Sequence, residues 1–241
     1  MLETRKLTKE YEPGVRALDE LDLHVANGEV YCLLGANGAG KTTAIHLLLD
    51  FISPTVGEAL IDGINVAHRP LEAKARVAFL PESVQLYGAL SVRQNLSFFC
   101  EVYGRTHEQG DLEALLAEVG LPVGTLDRRV RHFSKGMRQK LGLAIVAAKG
   151  AQNLILDEPL SGLDPEAASS MVGALARLRD RGTSILMSTH DVFRAKELAD
   201  RVAILLDGKK VMEKTREELR DEDLERLYLD YIRGRRSEVE N

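Results

Sequence analysis

The sequence predicts an α/β fold with a mostly parallel sheet covered on both faces, an antiparallel β side sheet and an inserted helical subdomain. Three observations lead there. Apolar runs alternate with helical patterns along the chain, the arrangement that buries a parallel sheet on both faces. Two shorter β-like stretches carry turn signals, and a long helical region separates two of the apolar runs. The 241 residues, 44% apolar and 29% charged, can bury a large core, and this balance excludes a disordered or fibrous chain.

In chain order, the central strands are expected at 29–34, Val77–Leu80, Asn153–Asp157, 184–188 and 202–206, where apolar residues run on without polar interruption. The side sheet is expected at 18–25 and 58–66, with turns at Asn27-Gly28 and Asp62-Gly63. Helices follow from about Val84 to Ala148. Ser91 caps one running to Phe99, Asp111 one running to Val119, and Ser134 a third with an apolar stripe of Met137, Leu141, Ile145 and Ala148. Beyond Val211 the chain becomes charged. There Thr215 and Glu218 have capping-box spacing, and Leu224, Leu227, Tyr228, Tyr231 and Ile232 recur at helical intervals. That helix either lies on its own domain or meets a partner subunit, and 235–241 reads as a frayed tail.

A net charge of −5 without Lys/Arg blocks gives no electrostatic basis for binding nucleic acid. Cys32 and Cys100 are the only cysteines. Cys32 stands in an apolar run, and neither lies in a CxxC motif, which fits buried thiols in a reducing cytosol. The N-terminal segment lacks the apolar core of a secretory signal. No segment approaches the roughly 18 apolar residues that cross a bilayer, so direct membrane insertion is not expected.

Gly35, Ala36, Asn37, Gly38, Ala39, Gly40, Lys41 and Thr42 fit the P-loop pattern directly after an apolar strand and before a helical stretch. Glycines let backbone N–H groups face a phosphate, and the helix end favours its charge. Lys41 adds a mobile cation, Thr42 can ligate Mg²⁺ and Thr43 can donate to an α-phosphate oxygen. The core is therefore predicted to be that of a P-loop NTPase. Downstream, Asp157 and Glu158 end a buried strand at the carboxyl edge where α/β ligands collect. Successive strand residues face opposite sides. On that basis Asp157 joins the Mg²⁺ shell while Glu158, facing a different space, acts as general base on water.

Phe133, Ser134, Lys135, Gly136 and Met137 precede an amphipathic helix upstream of these acids. The segment resembles the ABC signature motif, with Ser134 and Gly136 matching and Lys135 and Met137 departing. Ser161, Gly162, Leu163 and Asp164 resemble the D-loop of the same family, and Ser188, Thr189, His190 and Asp191 resemble its switch-histidine loop. Glu82 stands at the place of the Q-loop glutamine, and Tyr11 is similar to the aromatic that stacks on adenine. The resemblance extends from Tyr11 to about Glu213. It implies an ABC ATPase domain over 1–213, with the helical subdomain at about 84–150 inserted, and a C-terminal helix and tail over 214–241.

The same resemblance implies an ATP-binding and ATP-hydrolysing subunit with ATP and Mg²⁺ as its cofactors. Glu158, His190 and Lys41 would be catalytic. Tyr11, Gly35, Asn37, Gly38, Ala39, Gly40, Lys41, Thr42 and Thr43 would hold nucleotide, joined by Ser134, Gly136 and Asp164 across a head-to-tail homodimer. Thr42, Asp157 and Glu82 would be the metal residues, with the Glu82 carboxylate either ligating Mg²⁺ or set back from it. A separate transmembrane permease would carry the cargo, which places the chain on the cytoplasmic face of a membrane. Tyr87, Leu90, Phe98 and Phe99 would either meet that permease or pack in the core. The signature variant and Glu82 resemble the exporter branch that includes sodium-export, drug-export and nitrous-oxide-reductase copper-maturation ATPases. The alternative is a soluble ABC ATPase acting on the ribosome or DNA.

Overall fold

The computed structural model describes residues 1–106, 108–220 and 222–239, with backbone alone for Gln109 and 233–239. Its elements run β1 (Leu2–Glu12), β2 (Val15–Val25), β3 (Val30–Leu34), α1 (Lys41–Leu48), β4 (Val56–Ile61), β5 (Ile64–Asn65), α2 (Pro70–Ala75) and β6 (Val77–Leu80). Helices α3 (Val92–Val102), α4 (Gln109–Glu118) and α5 (Lys135–Ala148) come next. The remainder is β7 (Asn153–Asp157), α6 (Pro165–Asp180), β8 (Ser184–Thr189), α7 (Val192–Leu198), β9 (Arg201–Leu206), β10 (Lys209–Thr215) and α8 (Leu224–Val239).

The central sheet has the order β10-β9-β3-β8-β7-β6, parallel except for the antiparallel edge strand β10. The side sheet, β2-β1-β4-β5, is antiparallel throughout. Alternation along each central strand divides the interior into two cores. Val30, Cys32 and Leu34 of β3 pack with α3 to α6, whereas Tyr31 and Leu33 pack with α1 and the side sheet. Burial, assisted by the nearby Glu158 charge, pushes the Cys32 thiol well above its ordinary range, as a thiol acting as a small hydrophobe requires.

Local chemistry explains most boundaries. Ser91 accepts from Gln94 N–H at 3.2 Å and donates its own N–H to the Gln94 side chain at 2.9 Å, closing a capping box at the start of α3. Asp111 is the third residue of α4 rather than its cap: the helix starts two residues earlier, and the Asp111 carboxylate accepts from the Glu108 N–H. The Thr215–Glu218 box forms, with Glu218 accepting from the Thr215 N–H at 2.7 Å. It closes a turn, however, and α8 begins only at Leu224, where Asp223 accepts from the Glu225 and Arg226 N–H groups.

Helix α8 lies on its own domain. Leu224 is buried, and Leu227 and Tyr228 pack against the same core as α3 to α6. Its backbone continues through Val239, so the tail expected from 235 is helical as far as 239, while 240–241 lie outside the described residues. The expected division at 213/214 falls inside β10.

Two strands were not expected from sequence. In β1 the inward positions are Leu2 and Thr4, then Leu7 and Thr8, because Lys6 takes a left-handed φ of 44° and the pairing shifts between Thr4 and Leu7. That bulge destroys the two-residue alternation by which strands are read. In β10 only Met212 is buried, and the strand is held by its ladder to β9. The Asp207-Gly208 turn, with φ of 44° and 79°, is the hairpin signal that marks it.

Candidate functional site

The carboxyl ends of β3 and β7 and the loop after β6 converge on one cleft of about 310 Å³. Its wall includes Ala36, Asn37, Gly38, Gly40, Lys41, Thr42 and Thr43, facing Glu82, Asp157 and Glu158, with Ala17 of β2 at the rim. The loop after β3 can fold this tightly because Gly40 adopts φ 104° and brings its backbone against Ala17. A Cβ on Gly40 would lie 2.5 Å from the Ala17 oxygen. Helix α1 starts at Lys41 without a side-chain cap and without an acid in its first turn, leaving its N-terminal N–H groups and dipole turned to the loop.

Lys41 is nearly buried, 6% exposed, and donates to Gly35 O at 2.7 Å and Ala36 O at 3.2 Å. Its ammonium also lies 3.3 Å from Glu158 Oε1. That ion pair compensates charge without making an aligned hydrogen bond, and Oε1 is a buried oxygen with no hydrogen-bond donor among the described residues. The other oxygen, Oε2, lies 2.9 Å from His190 Nδ1. Glu158 thus offers one oriented and one unsatisfied oxygen inside the cleft.

Alternation predicted that Asp157 and Glu158 face different spaces, and the structure corrects this. Glu158 leaves the strand with a left-handed φ of 47°, which swings its carboxylate into the cleft that Asp157 also lines. Its N–H donates to Ser188 Oγ at 2.9 Å, and the Ser188 hydroxyl donates to Asp157 Oδ1 at 2.5 Å. The Thr42 hydroxyl stands 3.4 Å from Asp157 Oδ2. Ser188 was not among the expected site residues. Its signal is a polar side chain directly after the apolar run Ile185, Leu186 and Met187 and two residues before His190.

Asp157 Oδ2 and Thr42 Oγ1 are adjacent hard oxygen donors. Among the described residues no group of three or more His, Cys, Asp or Glu side chains could hold a metal alone. Such a sparse donor set fits Mg²⁺, which takes one or two protein oxygens and fills its octahedron with phosphates and water. Glu82 lines the cleft from outside that pair, exposed, with Ser161 Oγ donating to its carboxylate at 3.4 Å.

The remaining expected residues stand elsewhere. Ser134 caps α5 by accepting from the Met137 N–H at 3.2 Å, and Asp164 caps α6 by accepting from the Ala167 N–H at 2.8 Å. Gly136 lets these helix starts meet, since a Cβ on it would lie 2.8 Å from the Ala167 Cβ. None of the three lines the cleft. Nor does Tyr11, an exposed residue at the end of β1 beneath the Lys9 ammonium. Tyr87 and Phe98 stack edge to face at 5.1 Å and are both exposed, while Phe99 packs partly into the core.

No helix among the described residues is long and apolar enough to cross a membrane. Residues 18–161 match the family described as ABC transporter. The chain is 32% identical over 231 residues to an uncharacterized ABC transporter ATP-binding protein, YcbN, of Bacillus subtilis, covering 95% of this chain and 74% of that one. It is 33% identical to the lantibiotic transport ATP-binding protein SrtF of Streptococcus pyogenes, over 96% of this chain and 97% of that protein. To the bacitracin transport ATP-binding protein BcrA of Bacillus licheniformis it is 36% identical, over 87% and 68%. A solved ATP-binding subunit of an ABC transporter superposes with a TM-score of 0.83 at 30% identity, covering 95% of this chain and 98% of that one. With a phosphate-binding loop and two acids on one cleft, and a histidine against one of those acids, the chain belongs to the ABC transporter family and is one of its ATP-binding subunits.

Proposed function

We propose that the chain hydrolyses ATP at this cleft to drive a separate transmembrane permease, in the direction of export. The observation that carries the chemistry is Glu158, a carboxylate with one oxygen buried and without a donor, and the other held by His190. A water seated on Oε1 would lose its proton to Glu158 as its oxygen attacks the terminal phosphorus. The bond to the bridging oxygen then breaks, and ADP and phosphate leave. Lys41 exchanges its carbonyl and Glu158 contacts for the β- and γ-phosphates, freeing Glu158 when nucleotide enters. Backbone N–H groups of Asn37, Gly38 and Gly40 cradle the phosphates, and Thr43 donates to the α-phosphate, while Gly35 and Ala39, whose N–H groups donate to Thr189 O and Ala36 O, shape the loop around them. Thr42 and Asp157 would hold Mg²⁺. When bound, that ion neutralises charge on the phosphate oxygens.

His190 orients Glu158 and reaches the γ-phosphate, and Tyr11 stacks on the adenine. Ser134, Gly136 and Asp164 line no part of the cleft in their own chain. A second copy turned head to tail would bring them to the nucleotide, so two equivalent sites close together. Glu82, exposed and touching Ser161, suits a relay to the permease more than a metal ligand. Transport in the names of the relatives of this chain supports the permease, and export is supported by relatives named for Nod factor export. The chain then works on the cytoplasmic side of a membrane, with no nucleic acid partner. The test is phosphate release with Mg²⁺ and ATP alone, together with the oligomeric state of Glu158→Gln at saturating ATP. Absence of release from the parent chain, or a Glu158→Gln chain that stays monomeric with ATP, would overturn this reading.

A further inference from the structure

Ser188 stands one residue before the end of β8, in register with Asp157 of β7, and is wholly buried. A hydroxyl at such a position must be partnered. Its two partners are the residues on which the chemistry turns: the hydroxyl donates to Asp157 Oδ1 at 2.5 Å and accepts from the Glu158 N–H at 2.9 Å. The next two residues reach other parts of the site. Thr189 O accepts from the Gly35 N–H at 3.1 Å, and His190 Nδ1 lies 2.9 Å from Glu158 Oε2.

We infer that Ser188 is a positioning residue for ATP hydrolysis, one that sets the metal-binding carboxylate of Asp157 and the proton-accepting carboxylate of Glu158 through a single hydroxyl. The inference rests on the roles proposed above for those two acids. With Oδ1 engaged by Ser188, Asp157 is held with Oδ2 beside Thr42, the orientation a shared metal needs. A hydrogen bond to a ligating carboxylate fixes its rotamer, and loss of such a partner typically lowers metal affinity or activity about 10–100-fold. At Glu158 the left-handed backbone takes the N–H out of the ladder, and Ser188 Oγ is the acceptor that receives it. Metal placement and base placement are therefore mechanically one property of this chain. A serine kept only to fill space would not join them.

The test uses Ser188→Cys and Ser188→Ala in the full chain. The cysteine fills nearly the same volume but is a weak donor and acceptor, so it decides the question if the alanine variant fails to fold. Three quantities are read: ATP affinity in EDTA, the Mg²⁺ concentration giving half of the metal-dependent gain in ATP affinity, and phosphate release at saturating Mg²⁺. The expected result is EDTA affinity within about twofold of the parent, a Mg²⁺ midpoint raised on the order of 10-fold and turnover lowered on the order of 10-fold. A Ser188→Cys chain with the parent's midpoint and turnover would overturn the inference. So would a fall in EDTA affinity equal to the other losses, because that would mark general damage to the cleft. A parent chain without any Mg²⁺-dependent step would instead overturn the ATPase reading, and this inference with it.

Discussion

The P-loop edge and the α5/α6 edge solve the same problem, polar groups at the ends of buried elements, in opposite ways. At the P-loop edge the partners come from far apart in the chain: Lys41 meets Glu158, Glu158 meets His190 and Ser188, and Thr42 meets Asp157. The groups are mostly buried, and one carboxylate oxygen still accepts no hydrogen bond. At the α5/α6 edge, Ser134 and Asp164 each cap the helix that follows within three residues, in contact with solvent. The first edge carries unspent hydrogen-bonding capacity toward a ligand. The second is locally satisfied and has only its exposed helix starts to offer, which suits a surface completed by another copy.

Glu158→Gln should separate the two edges most strongly. It removes the proton acceptor while keeping the shape, and turnover should fall by about 10²–10⁴ with ATP binding retained, as single-turnover phosphate release and equilibrium binding would measure. His190→Ala withdraws the Oε2 partner but leaves the base. Its expected loss in kcat is about 10²-fold, and equal activity in both proteins would remove His190 from the P-loop edge.

Gly136→Ala probes the other edge. With its Cβ 2.8 Å from Ala167, overpacking should cost about 1–3 kcal/mol in denaturant unfolding, and an unchanged midpoint would mean that the α5 and α6 starts separate without penalty. Ser134→Ala deletes a cap worth about 1 kcal/mol. If Ser134 also serves a partner's nucleotide, its ATPase loss at high protein concentration should exceed what that destabilisation explains; if not, the two losses should match. Least affected should be Glu82→Gln. An exposed carboxylate with one 3.4 Å contact should shift the Mg²⁺ midpoint by less than about fivefold, and a larger shift would move Glu82 into the metal shell.

Legibility followed the range of the interactions. Strands β3, β6 and β7 were read to within a residue because both of their faces are apolar. The Ser91 and Ser134 caps were legible because donor and acceptor lie within one turn. The bulge in β1 was not, since Lys6 gives no local warning of a positive φ. Nor was the turn of Glu158 into the cleft. Strand periodicity assigns it to the wrong side, and the Ser188 hydroxyl that receives its N–H lies 30 residues away in sequence.

What the sequence determined by itself was the fold class, the loop that can cradle phosphate and the identity of the acids that end a buried strand. Those properties depend on residue type and short-range spacing: glycines before a lysine and a hydroxyl, apolar runs, caps. The tertiary structure alone decided how the acids are used. Packing β8 beside β7 brings Ser188 between Asp157 and Glu158, and packing β3 beside β8 brings the loop carrying Lys41 over the same strand end. Hydrogen bonds of under 3 Å between residues so distant in sequence arise only when long-range sheet pairing has set the register, because an offset of one residue would turn each of these side chains to the opposite face.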